Sequence, residues 1–268
     1  MLKDITLGQY FPGNSIAHKL DPRTKILLVT LYIIALFSAK GWMGYAVMAV
    51  TLAACVKVSH VGLRALVRGL KPLVFIIAFT GILNMFFTPD THYLWEWGIL
   101  RVSVKGIENA LFMVIRIMLL VMGTFLMTYT TSPIRLTDGL ESLLNPLKKI
   151  HVPVHELAMM MAIALRFIPT LIEETDKIMS AQKARGADFD SGNIFQKAKA
   201  LVPILVPLFI SAFRRADELA MAMECRCYHG GEGRTKLHVL KYQRRDYVAL
   251  AGGAVILVLV VVLRRLGA

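Results

Sequence analysis

Residues 106–130 form an apolar run of 25 positions whose only charges are Glu108 and Arg116. About 20 consecutive apolar residues are enough for a helix to cross a bilayer, and a soluble core rarely uses so long a run. Further apolar runs fall at 26–39, 42–56, 72–87 and 247–263. Five such blocks predict an all-α, polytopic membrane protein with about five spanning helices. The apolar content of 56% is concentrated in these blocks, as the bilayer requires. The 26–39 run is short for a span, and Arg23, Lys25 and Lys40 can snorkel from its ends. Asp21-Pro22 reads as the start of its helix, with Asp as N-cap and Pro in the first turn.

Charge sets the expected orientation. Residues 57–71 carry Lys57, Arg64, Arg68 and Lys71 and no acid. The positive-inside rule places that loop in the cytoplasm, and with it the amino terminus, two spans earlier. Residues 88–105, with Tyr93, Trp95 and Trp97, read as an outside loop at an aromatic belt. No cleavable signal peptide is expected, because the first 25 residues are polar rather than a basic start before an apolar run. Five spans put the carboxyl terminus outside. The net charge of +13 reads as cytoplasmic loops rather than a nucleic-acid surface, since the basic residues are not interleaved with aromatics.

Residues 131–246 differ from the rest. They hold 17 of the 31 Lys/Arg and 13 of the 18 Asp/Glu. Apolar runs interrupted by charge predict amphipathic helices at about 133–148, 154–184 and 196–226, divided or kinked by prolines. The expected organisation is therefore a 1–130 segment with four spans, a 131–246 cytoplasmic module, and a 247–268 last span and tail.

Catalytic chemistry is sparse. The 230–236 stretch has the composition of a phosphate loop in the wrong order, so no ATP hydrolysis is expected of this chain itself. Cys225, Cys227, His229 and His238 resemble a soft-metal cluster, but the spacing is not that of structural zinc, and neither a metal nor a cofactor is expected. Three cysteines make no disulfide framework. His151 and His155 flank Pro153 and read as interfacial loop residues. Arg116 is a functional candidate by its depth in the membrane, with a helix–helix contact as the alternative. Fourteen methionines read as gap fillers, or as an adaptable surface for several partners.

Two triplets stand out instead. Ala184-Arg185-Gly186 and Cys225-Arg226-Cys227 each close a predicted helix with one arginine about 40 residues from the other. Glycine suits the left-handed residue after a helix. An arginine just before it can reach beyond the helix and bind carboxylates bidentately.

With these triplets the chain resembles the transmembrane T component of energy-coupling factor (ECF) transporters, a branch of ATP-binding cassette importers. The likeness covers nearly the whole chain. It rests on Pro12-Gly13-Asn14-Ser15, His18 to Lys25 (His-Lys-Leu-Asp-Pro-Arg-Thr-Lys), Leu144-Asn145-Pro146-Leu147, Leu165-Arg166-Phe167-Ile168-Pro169, Ala181 to Gly186, and Met223 to Tyr228. The resemblance implies two cytoplasmic ATPases and one or several membrane S components as partners, with ATP bound by the ATPases. It also implies that Ala184, Arg185, Gly186, Cys225, Arg226 and Cys227 form the two ATPase-binding motifs, each arginine entering an acidic groove. The substrate would be a vitamin or another micronutrient. The second motif departs from the pattern: Cys227 stands where glycine is usual. A β-carbon disfavours positive φ, so the second helix is expected to end differently from the first. A membrane-embedded enzyme built on Arg116 and a non-transporting membrane anchor are the rival readings.

Overall fold

A computed structural model describes residues 10–88, 93–97, 100–187, 189, 194–231 and 239–266. Its helices are α1 (Ile16–Lys19), α2 (Pro22–Ser38), α3 (Gly41–Ser59), α4 (Leu63–Leu70), α5 (Val74–Phe87), α6 (Val104–Thr130), α7 (Pro133–Leu144), α8 (Val154–Ala184), α9 (Ile194–Glu224) and α10 (Arg244–Arg265). A short antiparallel hairpin, β1 (Tyr93–Trp97) and β2 (Leu100–Ser103), precedes α6, with Glu96 opposite Arg101. The expectation from sequence is a loop over 88–105, and the pairing corrects it. Apart from this hairpin the regular structure among the described residues is helical.

Among the described residues five helical stretches are long and apolar enough to cross a membrane: Gly41–Ser59, Leu63–Phe87, Val104–Thr130, Val154–Ala184 and Arg244–Arg265. Four of these match expected spans. The fifth, α8, was assigned by its charges to the coupling module. The expected first span is α2, whose 17 residues reach about 26 Å at 1.5 Å per residue, slightly less than a ~30 Å hydrocarbon core.

Internal contacts divide the chain into two units, Gly8–Leu140 with Leu240–Ala268, and Glu141–Val239. In the first, α6 is central and packs on α2, α3, α4 and α5, while α10 lies along α2. The core joins Ala35 and Leu36 of α2, Tyr45, Met48 and Leu52 of α3, Leu66 of α4, Leu119 of α6 and Val260 of α10. Lipid tails give helices no hydrophobic reason to associate, so close backbone approach carries the packing. A β-carbon at Gly106 would lie 2.7 Å from the carbonyl oxygen of Met85, which marks how tightly α6 is laid on α5. Large apolar side chains such as Phe75, Phe79, Val50 and Val255 remain exposed, as lipid-facing positions do.

The start of α2 is the most polar buried part of this unit. Asp21 caps the helix, accepting from the Arg23 backbone N–H at 2.9 Å, and Pro22 follows in the first turn. The backbone N–H of Asp21 itself donates to Asp246 Oδ1 at 2.9 Å, and Asp246 Oδ2 accepts from the Gln243 N–H at 2.7 Å, boxing the start of α10. Lys25 Nζ donates to the Thr130 carbonyl at 2.8 Å and to Thr131 Oγ1 at 3.0 Å, at the end of α6. Ser15 caps α1, and the His18 ring lies within hydrogen-bond distance of Ser15 Oγ (2.6 Å) and the Phe11 carbonyl (3.0 Å). Thus the starts of α2 and α10 and the end of α6 share one end of the helix bundle.

The second unit is built on α8 and α9. Glu174 of α8 accepts from Ser211 Oγ and, at 3.0 Å, from Arg215 Nη2. Gln182 Nε2 reaches the Pro203 carbonyl at 3.4 Å. As numbering rises along α8 it falls along α9, so the pair is antiparallel. Pro169 lies inside α8, and Pro203 and Pro207 inside α9, without dividing either helix.

Candidate coupling motifs at two helix ends

Each arginine triplet is the terminus of a 31-residue helix, and the two termini are built alike. At the end of α8 the Gly186 N–H donates to the Lys183 carbonyl at 3.0 Å and the Ala187 N–H to the Gln182 carbonyl at 3.0 Å. At the end of α9 the Cys227 N–H donates to the Glu224 carbonyl at 2.8 Å and the Tyr228 N–H to the Met223 carbonyl at 3.1 Å. Both are the paired bonds of a Schellman cap, in which one left-handed residue folds the chain back onto the last carbonyls. Gly186 takes that position with φ 85°, and Cys227 takes it with φ 56°.

The expectation that the second helix ends differently is therefore corrected. Cysteine adopts the conformation that glycine adopts in the first motif. The reason is a balance: the left-handed region costs a residue with a β-carbon about 1 kcal/mol, and the cap gains two backbone hydrogen bonds that each offset a cost of that size. Relieving the strain should stabilise the protein. Cys227→Gly is expected to add roughly 1 kcal/mol, less whatever glycine's unfolded-state freedom returns. Thermal unfolding in detergent would register a small rise in midpoint, and a fall would mean that the Cys227 side chain makes contacts that outweigh its strain.

Arg185 and Arg226 occupy the cap position just before the left-handed residue, and both are exposed. Ala184 and Gly186, and Cys225 and Cys227, are exposed beside them, so each arginine stands on a stub of small side chains. Among the described residues neither arginine joins an ion pair. Because α8 and α9 are antiparallel, the two arginines lie at opposite ends of the pair. From the Glu174–Ser211 contact, Arg185 lies 11 residues on and Arg226 15 residues on. At 1.5 Å per residue this allows a separation of up to about 39 Å.

The end of α9 is held near the start of α8. A β-carbon at Gly231 would lie 2.4 Å from His155 Cδ2, so the chain after the second motif passes directly over that ring. His155 was expected in a loop. It lies instead in the first turn of α8, its Nδ1 3.0 Å from Glu141 Oε1. His151 is the left-handed residue before α8, with φ 61°. Sequence spacing gave no sign of the His155–Glu141 pair or of the Glu174–Ser211–Arg215 group. Their members are 14, 37 and 41 residues apart, beyond any periodicity within one helix.

The remaining candidates resolve individually. Arg116 donates from Nε at 2.9 Å and Nη2 at 2.6 Å to the Tyr45 hydroxyl, and the Tyr45 ring stacks on Phe112. It joins α6 to α3, the helix–helix alternative. His238 lies outside the described residues, as does most of the 230–236 stretch. Among the described residues no three of His, Cys, Asp and Glu are gathered as a metal would need.

A family model described as "Cobalt transport protein" (CbiQ) matches residues 13–237, which includes both motifs and the α2 start. The chain belongs to the CbiQ/EcfT family. An "Energy-coupling factor transporter transmembrane protein EcfT" of Clostridium kluyveri is 55% identical over 267 residues, covering 99% of this chain and 98% of the relative. A protein of the same description from Ruminiclostridium cellulolyticum is 54% identical over 246 residues, covering 92% of each. The Bacillus subtilis EcfT is 46% identical over 264 residues, covering 98% of this chain and all of the relative. Membership agrees with the membrane-spanning helices: this is a multi-pass transmembrane component of the energy-coupling factor type.

Proposed function

We propose that this chain couples ATP hydrolysis by two cytoplasmic ATP-binding cassette ATPases to substrate release from a membrane S component, in uptake of a vitamin or another micronutrient. The single observation that carries the proposal is the pair of like-built helix ends, each presenting one exposed arginine, at opposite ends of the α8–α9 pair. Arg185 binds an acidic groove on one ATPase, and Arg226 an equivalent groove on the other. Bidentate guanidinium–carboxylate contacts give such docking its direction as well as its strength. When the ATPases close on ATP, the two grooves change separation and the helices seated in them move as rigid bodies. The S component, bound against the membrane face of the assembly, tilts and opens inward. Rigid-body transmission of this kind needs stiff helices and firm caps, and the Schellman ends supply the caps.

ATP is bound by the partners and not by this chain. The amino terminus and the helix ends bearing the motifs lie in the cytoplasm, a placement supported by the acid-free basic stretch 57–71. The test is uptake in cells that lack their own system. Co-expression of this chain with two ATPases and an S component should give ATP-dependent accumulation of the S component's substrate. Omitting this chain should abolish it, whereas a mere anchor would leave uptake unchanged on omission.

A further inference from the structure

We infer that the first turn of α2, Asp21-Pro22-Arg23-Thr24-Lys25, is the fixed anchor through which motion of the Glu141–Val239 unit enters the membrane helices, and that Lys25 is its positioning residue. The inference rests on the coupling role proposed above and says where in the chain the coupling is received.

The main chain passes between the two units after Leu140 and after Val239. The first passage comes one residue after Gly139 of α7. Both passages are tied, within ten residues along the chain, to the same five positions. Ahead of the first, Lys25 Nζ holds the Thr130 carbonyl at 2.8 Å and Thr131 Oγ1 at 3.0 Å. Gly139 of α7 is seated on the same turn: a β-carbon there would lie 3.0 Å from Pro22 Cβ and 3.3 Å from the Arg23 nitrogen. Beyond the second passage, the Arg23 guanidinium lies over the Tyr242 ring, 4.1 Å from its centre, and Asp246 Oδ1 receives the Asp21 N–H at 2.9 Å.

These ties join positions 105, 106 and 225 residues apart, so they are features of the fold rather than of local chain geometry. Lys25 and Asp246 are buried, at 6% and 1% exposure. Buried charges are costly unless held by hydrogen bonds, and the bonds here go to the two passages. A displacement arriving along either passage therefore pulls on one turn. That turn opens α2, which packs along both α6 and α10. Without the ties, α7 and the segment before α10 could shift while α2 stayed in place.

The test uses the full chain assembled with two ATPases and an S component in liposomes. Assembly, ATP hydrolysis and substrate uptake are measured on the same preparation. Lys25→Met keeps the length of the side chain and removes its donors. It should leave assembly and hydrolysis within about twofold of the parent and lower uptake per ATP by about tenfold, a coupling loss of ordinary size. Thr131→Val removes a single acceptor and should lower uptake per ATP by a smaller factor in the same sense. Uptake per ATP unchanged in either assembled variant, or hydrolysis falling in step with uptake, would overturn the inference. If Lys25→Met does not assemble, Thr131→Val decides alone. If the parent chain itself fails to bind the ATPases or to support ATP-driven uptake, the coupling role fails and takes the inference with it. A well-coupled parent with well-coupled variants rejects only the anchor.

Discussion

Arg185→Glu combined with Arg226→Glu should abolish association with the ATPases. On the proposed docking, each reversal would remove a guanidinium from an acidic groove and set a carboxylate against it. Loss of one partner of a desolvated charge pair costs about 2–5 kcal/mol, and the added repulsion makes that a lower bound. Two such losses at independent sites roughly add, whereas either single variant should retain partial binding through the other motif. The effect would belong to the side chains, because the helix caps are made by backbone groups at residues 182–187 and 223–228. Helical content by circular dichroism should therefore be unchanged. Co-purification of the tagged variant with its ATPases is the measurement, and undiminished recovery would count against these arginines as the docking groups.

The second large effect is expected at Asp246. Its carboxylate is 1% exposed and accepts the backbone N–H groups of Asp21 and Gln243 at 2.9 and 2.7 Å. Hydrogen bonds to a charged group contribute about 1.5–3 kcal/mol each, and a donor left buried and unpaired costs a similar amount. Asp246→Ala should thus destabilise the protein by roughly 3 kcal/mol or more. Asp246→Asn retains one acceptor oxygen and should recover part of the loss. Thermal unfolding in detergent would rank the three proteins parent, Asn, Ala. Equal midpoints would mean that water replaces the carboxylate at both N–H groups.

Local signals were legible in the sequence where neighbouring residues encode them. Asp21-Pro22 named the start of α2, and Gly186 the left-handed residue after α8. The apolar runs located four of the five stretches able to span. What was missed depends on partners brought from elsewhere. Cys227 has no local reason to take positive φ, and only the closing bonds to Met223 and Glu224 hold it there. Lys25 reads from sequence as a snorkelling end residue, but it points inward because the end of α6 offers it oxygen atoms. Arg116 reads as active or structural on composition alone, and its bonds to the Tyr45 hydroxyl on α3 are a helix–helix contact that composition does not show. The 88–105 segment carries turn-like polarity and aromatics, yet its β1–β2 pairing is a cross-strand property. α8 was assigned to the module by its charges, although its apolar stretch is long enough to span.

The most direct test of the coupling role is to purify the tagged chain from native membranes and identify by mass what comes with it. The account predicts two ATP-binding cassette ATPases together with one or more small membrane proteins, the number of the latter showing whether the chain serves one S component or several. A chain recovered intact from those membranes with no ATPase attached would contradict it.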